Sequence, residues 1–296
     1  MLRLVLPKGS LERATLELFE EADLAVERSS EVDYHARIAD PRVETVSILR
    51  PQEIPTYVAE GLFDLGITGR DWIEETGATV VSLGRLGYSK ATSRPIRVVL
   101  AVADDAPVAS VAELATLAPG RRVRVATEYP DLTRRWLASQ GVDATVTYSH
   151  GATEAKVGAI ADAVVELTET GRALRAAGLR IVATLLESYT ELVANPEAVA
   201  DEAKFRAMRE LQTLLEGVLS ARGRVLLKLN VPADRLDAVI AVLPAMRSPT
   251  VAALFEQEGF AVETVVAKAE INTLIPALKD AGATDILELG LAKIVR

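Results

Sequence analysis

The sequence contains no cysteine, only two histidines and few aromatic residues, and these shortages exclude several kinds of chemistry. Without cysteine there can be no disulfide, no thiolate metal site and no thiol nucleophile. The two histidines, His35 and His150, argue against a multi-histidine metal cluster and against a Ser-His-Asp catalytic series. We interpret His150 as a polar loop residue.

Positive charge is also in short supply. The 33 Lys and Arg side chains are outnumbered by 42 Asp and Glu, which gives a net charge of -9 at pH 7. This balance disfavours nucleic acid and anionic membranes as partners, so a polyanionic ligand would need a few local cations and backbone N–H groups. No apolar run reaches membrane-spanning length, and Pro7 interrupts the apolar start that a signal peptide would need. We therefore expect a cytoplasmic protein that binds neither nucleic acid nor membrane.

What the chain does contain is a repeated alternation of short apolar runs and amphipathic stretches. Such pairs begin near Leu2, Val46 and Phe63, and a second series begins at Ile96. Strand followed by helix, repeated, is typical of an α/β domain with a mostly parallel sheet. With 296 residues, 49% of them hydrophobic, the chain can form two or three domains. We expect two α/β lobes, joined by two crossings, with a cleft between them.

Helix boundaries can be predicted from local chemistry. Ser10 is a favourable N-cap for the first helix, and Pro51 fits the first position of the next one. One long helix is predicted from Ala198 to Arg222, and Val111 to Leu117 is predicted to be helical. The chain beyond the long helix has the order βαββαβ, which is typical of a ferredoxin-like unit. Small units of this kind often bind effectors, which is an analogy from fold.

The most informative stretch runs from Ala161 to Leu174. Its first half is an apolar run that carries Asp162 and Glu166, and it predicts a buried strand. The second half turns at Thr170 and Gly171 and becomes a helix. Such a junction presents backbone N–H groups and a positive dipole end to a phosphate, and nearby carboxylates can accept hydrogen bonds from ribose hydroxyls. The alternative interpretation is an ordinary strand-turn-helix with surface acids.

Other strand-to-helix junctions also carry charged or small residues. Lys8 and Gly9 follow the first predicted strand, Arg50 follows the second, and Asp71 lies just after the third. Ligands of parallel sheets bind beyond the carboxyl ends of the strands, so these positions favour a common site. A solvated lysine is the alternative at Lys8.

Seven short segments are specific when they are taken together and in order. They are Leu6-Pro7-Lys8-Gly9, Leu49-Arg50-Pro51-Gln52-Glu53-Ile54, Gly66-Ile67-Thr68-Gly69-Arg70-Asp71, Thr127-Glu128-Tyr129-Pro130, Gly151-Ala152-Thr153-Glu154, Asp162 to Leu174, and Ser248-Pro249-Thr250. These segments resemble the long form of the ATP phosphoribosyltransferase family, and the resemblance covers essentially the whole chain. Two positions depart from the family pattern: Ala173 stands where the family commonly has Thr, and His150 where many members have Tyr.

The resemblance implies a fold and a domain division. It implies two catalytic lobes of the type II periplasmic-binding-protein-like kind and a C-terminal regulatory domain of ACT-like, βαββαβ fold. The expected division is 1–92 with 183–221 for the first lobe, 93–182 for the second, and 222–296 for the regulatory domain.

The resemblance also implies a reaction, the first step of histidine biosynthesis. Adenine N1 of ATP attacks C1 of 5-phosphoribosyl-1-pyrophosphate, giving N1-(5-phosphoribosyl)-ATP and pyrophosphate. Adenine N1 is already a nucleophile, so alignment matters more than a strong base. The leaving pyrophosphate needs charge neutralisation by Mg²⁺ and nearby cations, and no protein side chain is assigned to the metal.

Motif matches assign residues to four roles. The catalytic residues are Lys8, Arg50 and Glu166. The phosphoribosyl pyrophosphate site comprises Asp162, Glu166, Glu169, Thr170, Gly171 and Arg172. The nucleotide site comprises Lys8, Gly9, Arg50, Asp71 and Tyr129. The histidine effector site comprises Asn230, Ser248 and Thr250.

The resemblance further implies inhibition by histidine and assembly into a homo-hexamer, with a dimer as the smaller possibility. Two other functions remain open from the sequence. A prephenate dehydratase-like enzyme would share two lobes and an ACT domain, although the acids Glu166 and Glu169 suit a dicarboxylate substrate poorly. A non-enzymatic cytoplasmic solute-binding protein would leave the extra C-terminal domain unexplained.

Overall fold

The structure is a computed structural model that describes residues 1–30, 33–88, 96–244, 248–255 and 258–296. The chain forms two compact units, Met1–Gln212 and Thr213–Arg296. Within the described residues, no helix is both long enough and apolar enough to cross a membrane.

Strands and helices alternate over parts of the described chain, with runs of consecutive strands between them. The strands are β1 Leu2–Pro7, β2 Val26–Glu27, β3 His35–Ile38, β4 Val43–Leu49, β5 Leu65–Gly69, β6 Val81–Leu86, β7 Ile96–Ala103, β8 Val123–Thr127, β9 Ala144–Tyr148, β10 Ala163–Thr168, β11 Leu179–Ser188, β12 Thr190–Ala194, β13 Arg224–Pro232, β14 Thr250–Ala253, β15 Gly259–Ala267 and β16 Thr284–Gly290. The α-helices are α1 Glu12–Glu21, α2 Ile54–Ala59, α3 Arg70–Thr76, α4 Pro130–Ser139, α5 Arg172–Ala176, α6 Pro196–Ala200, α7 Glu202–Ala221, α8 Leu236–Val242 and α9 Ile271–Asp280. Short 3-10 helices span Val111–Leu117, Thr153–Lys156, Ala233–Arg235 and Lys268–Glu270.

The first unit contains two sheets, which define two lobes. The sheet of lobe I has the order β2-β3-β4-β1-β5-β12-β6. Its strand β1 runs parallel to both β4 and β5, whereas β12 pairs antiparallel with β5 and β6. Leu4, Val5 and Leu6 are all buried, as expected for a continuous apolar strand that is covered on both faces. The parallel pairing brings the residues that follow β1, β4 and β5 to one edge of the sheet.

The sheet of lobe II has the order β11-β7-β10-β8-β9. Strand β10 is central: it runs parallel to β8 and antiparallel to β7. Val98, Leu100 and Val165 lie in the core of this lobe. The chain enters lobe II between β6 and β7 and returns between β11 and β12, so two crossings join the lobes. The predicted architecture of two periplasmic-binding-protein-like lobes is confirmed.

The second unit contains an antiparallel sheet with the order β14-β15-β13-β16. Helices α8 and α9 contribute Val239 and Leu278 to a core shared with Leu227 of β13. This order and the βαββαβ succession are those of a ferredoxin-like fold. The predicted C-terminal unit is therefore also confirmed.

Several helix boundaries differ from the predicted ones for identifiable reasons. Ser10 does not cap α1, which begins at Glu12; instead the Glu12 carboxylate accepts the N–H of Gly9 at 3.0 Å. Pro51 lies in a turn, and α2 begins only at Ile54.

The predicted helix from Ala198 to Arg222 is also two helices in the structure. Asp201 adopts an extended conformation after α6. The Asp201 carboxylate accepts hydrogen bonds from the N–H groups of Ala203 and Lys204. Asp201 therefore caps the N-terminus of α7 and separates it from α6. The predicted helix at Val111–Leu117 is a 3-10 helix.

The expected division between the lobes is not tested at every boundary. The boundary at 92/93 falls outside the described residues. The boundary at 182/183 falls inside β11, which pairs with β7 as far as Ser188 opposite Ile96. Residue Ser188, rather than 182, is thus the last one that belongs to the sheet of lobe II. The boundary at 221/222 stays a prediction. The two compact units of the structure divide between Gln212 and Thr213.

Candidate active site

The loop between β10 and α5 has the predicted strand–turn–helix form. Gly171 adopts φ +70°, a left-handed conformation that glycine accommodates without strain, and α5 begins at Arg172. The Thr168 hydroxyl accepts the N–H of Gly171 at 2.9 Å, and the Thr170 hydroxyl accepts the N–H of Arg172 at 3.4 Å. Because Thr170 is exposed and Glu169 half-buried, the loop presents an acid, a hydroxyl and backbone N–H groups at the carboxyl end of β10.

Glu166 lies two residues before the end of β10 and is half-buried. Burial raises the pKa of its carboxyl group, while hydrogen bonds from the Leu167 N–H and the Thr153 hydroxyl lower it. The neighbouring carboxylates of Glu128 and Glu154 raise the pKa further. A half-buried carboxylate whose acceptor oxygens face like charges is well suited to accept hydrogen bonds from neutral hydroxyls.

A network of polar side chains that sequence reasoning missed supports Glu166. Thr153 and Ser149 are buried, and their hydroxyl oxygens lie 2.8 Å apart. Lys156 donates a hydrogen bond to the Ser149 hydroxyl. In the sequence, the only indication of this network was the segment Gly151-Ala152-Thr153-Glu154. In the structure, Ala152 of that segment has an unusual φ of +48°.

Asp162 does not belong to this site, contrary to the prediction. It precedes β10, whereas Glu169 and Thr170 follow that strand, so the six residues of β10 separate them by about 20 Å. Both of its oxygens are occupied: Arg121 and Arg124 donate to them at 2.6 to 3.0 Å through their guanidinium groups. These hydrogen bonds lower the pKa of Asp162 well below its usual range. Asp162 is a half-buried carboxylate of lobe II that is paired with two arginines.

On lobe I the predicted cations come together. Parallel pairing sets Pro7 opposite Leu49, so Lys8 and Arg50 leave the sheet side by side. Gly9 has φ +86°, a left-handed conformation that favours glycine, and it lies beside the Arg50 guanidinium. The Lys8 ammonium lies 4.0 Å from the ring centroid of Tyr34, and Arg50 is exposed.

Asp71 and Tyr129 are brought together, but they bond to each other. The Tyr129 hydroxyl donates to Asp71 Oδ2 at 2.8 Å, and Trp72 covers its ring with 4.6 Å between the ring centroids. Tyr129 is 2% exposed and Asp71 is 5% exposed. Burial raises the pKa of both side chains. The predicted packing of the Tyr129 ring beside a nucleotide is therefore not available in this arrangement.

A cavity of about 160 Å³ lies beside Asp71 and is lined by residues of both lobes. Its lining includes Ser10, Pro51 and Leu167, which are the chain neighbours of Gly9, Arg50 and Glu166. Asp71, Trp72 and Ser188 also line it. Trp72, Leu167 and Ser188 were missed at the level of sequence, because apolar residues and a lone serine carry no signal of a site until the lobes are assembled.

The expectation that no protein side chain is assigned to the metal ion stays a prediction. The described residues include no group of three or more His, Asp or Glu side chains arranged to hold a metal ion.

The predicted effector residues fall into two places. Ser248 and Thr250 line a cavity of about 390 Å³ in the second unit, together with Glu263, Thr264 and Arg296. Asn230 is not part of that lining; it lies on β13, and its amide donates to Asp285 of β16 at 3.0 Å. Thr250 pairs with Glu263 across β14 and β15, so β15 separates the two positions.

Fold and site together define a two-lobed α/β protein with a cationic sheet edge on one lobe, an acid-and-threonine loop on the other, and a separate ferredoxin-like unit. Comparison with family models matches residues 50–217 to the HisG model, described as ATP phosphoribosyltransferase. Residues 221–293 match the model described as the HisG C-terminal domain. The chain belongs to the ATP phosphoribosyltransferase family.

Individual proteins agree with this membership. The chain is 49% identical to an ATP phosphoribosyltransferase of Desulforudis audaxviator, with 99% of each chain covered. It is 47% identical to one of Pelotomaculum thermopropionicum, again with 99% of each covered. Among solved structures, a chain of the ATP phosphoribosyl transferase (HisG:HisZ) complex of Thermotoga maritima matches at 25% identity with a TM-score of 0.61, covering 73% of this chain and 99% of that one.

Proposed function

We propose that this protein transfers the phosphoribosyl group of 5-phosphoribosyl-1-pyrophosphate to N1 of ATP, the first step of histidine biosynthesis, with release of pyrophosphate. The observation that carries the proposal is the parallel pairing that brings Lys8 and Arg50 to one sheet edge, in a chain that belongs to the ATP phosphoribosyltransferase family. Family membership favours this transferase activity over the dehydratase-like and solute-binding alternatives.

The phosphoribosyl donor is assigned to lobe II. The Glu166 carboxylate accepts hydrogen bonds from the ribose hydroxyls, and Glu169, Thr170, Gly171 and Arg172 surround the 5′-phosphate. Within the loop the Thr168 and Thr170 hydroxyls accept hydrogen bonds from the N–H groups of Gly171 and Arg172. Phosphate oxygens would replace these internal acceptors, and a charged acceptor makes the stronger hydrogen bond.

The polyphosphate charge is assigned to lobe I. Lys8 and Arg50 supply the cations, and the positive φ of Gly9 lets the backbone approach the anion. Mg²⁺ supplies further neutralisation of the leaving pyrophosphate when it is bound. Adenine N1 and ribose C1 then need only be held in line, which is a task of positioning. Asp71 lines the cavity, so we assign it to the nucleotide side, with Tyr129 as its hydrogen-bonding partner.

The C-terminal unit is assigned to inhibition by histidine. The cavity that Ser248 and Thr250 line also contains Glu263 and Arg296, groups of opposite charge that suit the ammonium and carboxylate of a free amino acid. Glu263 pairs with Lys228 at 2.8 Å in this structure, so an incoming ammonium would compete with that lysine. A homo-hexamer, with a dimer as the smaller unit, is the proposed assembly, and sedimentation of the full chain measures it.

One assay tests the reaction and its inhibition. Pyrophosphate release should require ATP, phosphoribosyl pyrophosphate and Mg²⁺ together, and histidine should reduce it. Thr250→Ala should weaken the inhibition and leave the uninhibited rate unchanged, while Asn230→Ala serves as the comparison outside the cavity. Absence of pyrophosphate release with both substrates present would refute the proposed reaction.

A further inference from the structure

Helix α3 of lobe I presents two buried acids to lobe II. Asp71 and Glu75 lie one helical turn apart, so their side chains share a face of the helix. Glu75 is 9% exposed. Neither carboxylate is paired with a cation in the ion pairs of the described residues, and both are instead bonded to groups that lie far away in the chain.

The Glu75 carboxylate caps helix α4 from the other lobe. Its oxygens accept the backbone N–H groups of Asp131 at 3.0 Å and of Leu132 at 2.8 Å. Those N–H groups belong to the first turn of α4 and have no partner inside the helix. Usually the residue before the helix provides the acceptor, but Tyr129, the N-cap of α4, makes no side-chain cap hydrogen bond. A negative charge also suits the positive end of the helix dipole.

Asp71 extends the same contact to the crossing between the lobes. Its Oδ2 accepts the Tyr129 hydroxyl at 2.8 Å, and its Oδ1 accepts the Ser188 hydroxyl at 2.5 Å. Ser188 is the last residue of β11, directly before the chain returns to lobe I. Trp72 completes the contact by covering the Tyr129 ring. We call Asp71, Trp72 and Glu75, with Tyr129, Ser188 and the first turn of α4, the interlobe latch.

We propose that Glu75 is a positioning residue that, through the interlobe latch, fixes the orientation of lobe II relative to lobe I. The orientation matters because the assigned cations lie on lobe I, whereas Glu166 and the phosphate loop lie on lobe II. Small misplacements of reacting groups lower rates strongly, so a loosened latch should act mainly on turnover. The expected effect on turnover rests on the proposed function. The claim that the interlobe latch sets the orientation of the lobes does not depend on that function.

Substitution with glutamine separates this role from a general loss of charge. Glu75→Gln keeps the shape of the side chain but replaces one acceptor oxygen by an NH₂ donor, which would face a backbone N–H. Glu74→Gln is the matched control, because Glu74 lies on the same helix and its carboxylate pairs with Arg70 of the same lobe. Glu75→Asp, which keeps the charge but shortens the reach, provides a second variant should Glu75→Gln fold poorly.

Two measurements are made on each variant. The natural chain has no cysteine, so Glu60→Cys in lobe I and Gln140→Cys in lobe II allow a spin-label pair that reports the interlobe distance without substrate. The second measurement is steady-state kinetics with ATP and phosphoribosyl pyrophosphate. We expect Glu75→Gln to broaden or shift the distance distribution and to lower kcat at least tenfold, with smaller changes in either KM. Glu75→Asp should lie in between, and Glu74→Gln should match the natural chain.

The outcomes are distinguishable. If Glu75→Gln matches Glu74→Gln in the distance distribution, the latch does not set the orientation and the proposal is overturned. A changed distribution with unchanged kcat overturns the positioning role as well. If the natural chain shows no turnover, the proposed function fails, and the distance distributions alone decide whether the latch holds the lobes.

Discussion

At the scale of single residues, Glu166 shows how surroundings tune an acid that must accept hydrogen bonds. Burial and the carboxylates of Glu128 and Glu154 raise the pKa of Glu166, and the Thr153 hydroxyl opposes them. Lys156 reaches this group only through the hydroxyls of Ser149 and Thr153, and Arg97 lies in the neighbouring strand opposite Thr168. The Leu167 N–H and the Thr153 hydroxyl are therefore the two hydrogen-bond donors that favour the ionised form of Glu166.

Removing that hydroxyl should move the pH profile. Thr153→Val keeps the shape of the side chain but deletes the hydrogen bond that lowers the pKa of Glu166. The folded-state pKa then rises, so the ionised form is lost at a higher pH, and the acid limb of kcat/KM for phosphoribosyl pyrophosphate should shift upward. The alkaline plateau should be little changed. Thr145→Val, at an exposed position of β9, is the control, and an acid limb identical in the two variants would count against the ribose role of Glu166.

The two cations of lobe I should matter for activity rather than for folding. Lys8→Ala or Arg50→Ala removes a charge-assisted hydrogen bond to a polyanion, which is worth roughly 1.5–3 kcal/mol, or about one to two factors of ten in kcat/KM. Neither side chain belongs to an ion pair among the described residues, so unfolding midpoints should barely move. Arg13→Ala on α1 is the control; normal activity in the folded Lys8 and Arg50 variants would exclude the assignment.

At the scale of elements, Asp64 joins three segments of lobe I. Burial alone would raise its pKa, but hydrogen bonds from the Arg3 side chain and backbone and from Lys204 of α7 lower the pKa to about 2. Because the folded-state pKa lies below the unfolded-state value, the carboxylate stabilises the fold at neutral pH. That contribution is lost as the pH falls from about 4 towards 2.

Asp64→Asn should therefore destabilise the protein by about 2 kcal/mol at pH 7, which is the pKa difference expressed as free energy. Below about pH 2 the two proteins should converge. Chemical denaturation at several pH values measures this difference, and Asp105→Asn at an exposed position provides the control. A constant gap between the two proteins from pH 7 to pH 2 would show that lost packing, rather than charge, explains the effect.

The elements also show what a sequence can and cannot predict. Lys8 and Arg50 could be placed together because parallel strands bring their carboxyl ends to one edge, whatever the rest of the fold does. Asp162 and Glu166 could not be told apart, since both flank the same apolar run and only the partners Arg121 and Arg124 reveal which one is neutralised.

Glu75 was out of reach for a different reason. Nothing near it in the chain marks it as a helix cap, because the N–H groups that it accepts lie 56 and 57 residues away. The break at Asp201 was missed because an aspartate in an amphipathic run looks like a surface residue until its carboxylate is seen to cap α7. Local periodicity thus predicts many of the strands and helices in order, while tertiary partners decide where a helix is interrupted and which polar residues have a role.

At the scale of the whole molecule, lobe II interrupts the sheet of lobe I. Strand β12 lies between β5 and β6, and among the described residues β6 has no other neighbour in the sheet. The two ends of lobe II, by contrast, meet: Ile96 pairs with Ser188. Lobe II can therefore complete its sheet with its own residues, whereas lobe I needs a strand that the chain supplies only after lobe II.

This arrangement has a consequence for synthesis on the ribosome. Domains of a nascent chain generally fold in the order in which they emerge, the N-terminal one first. Here we expect the reverse for completion: lobe II should acquire stable amide protection once Ser188 has emerged, while β6 should stay unprotected until β12 follows. Hydrogen exchange on stalled nascent chains that end before and after β12 would show this order, and protection of β6 in the shorter chain would contradict it. Lobe I, which is translated first, is then the lobe whose sheet is completed last. A chaperone that bound the nascent chain would find the edges of β5 and β6 unpaired throughout the synthesis of lobe II.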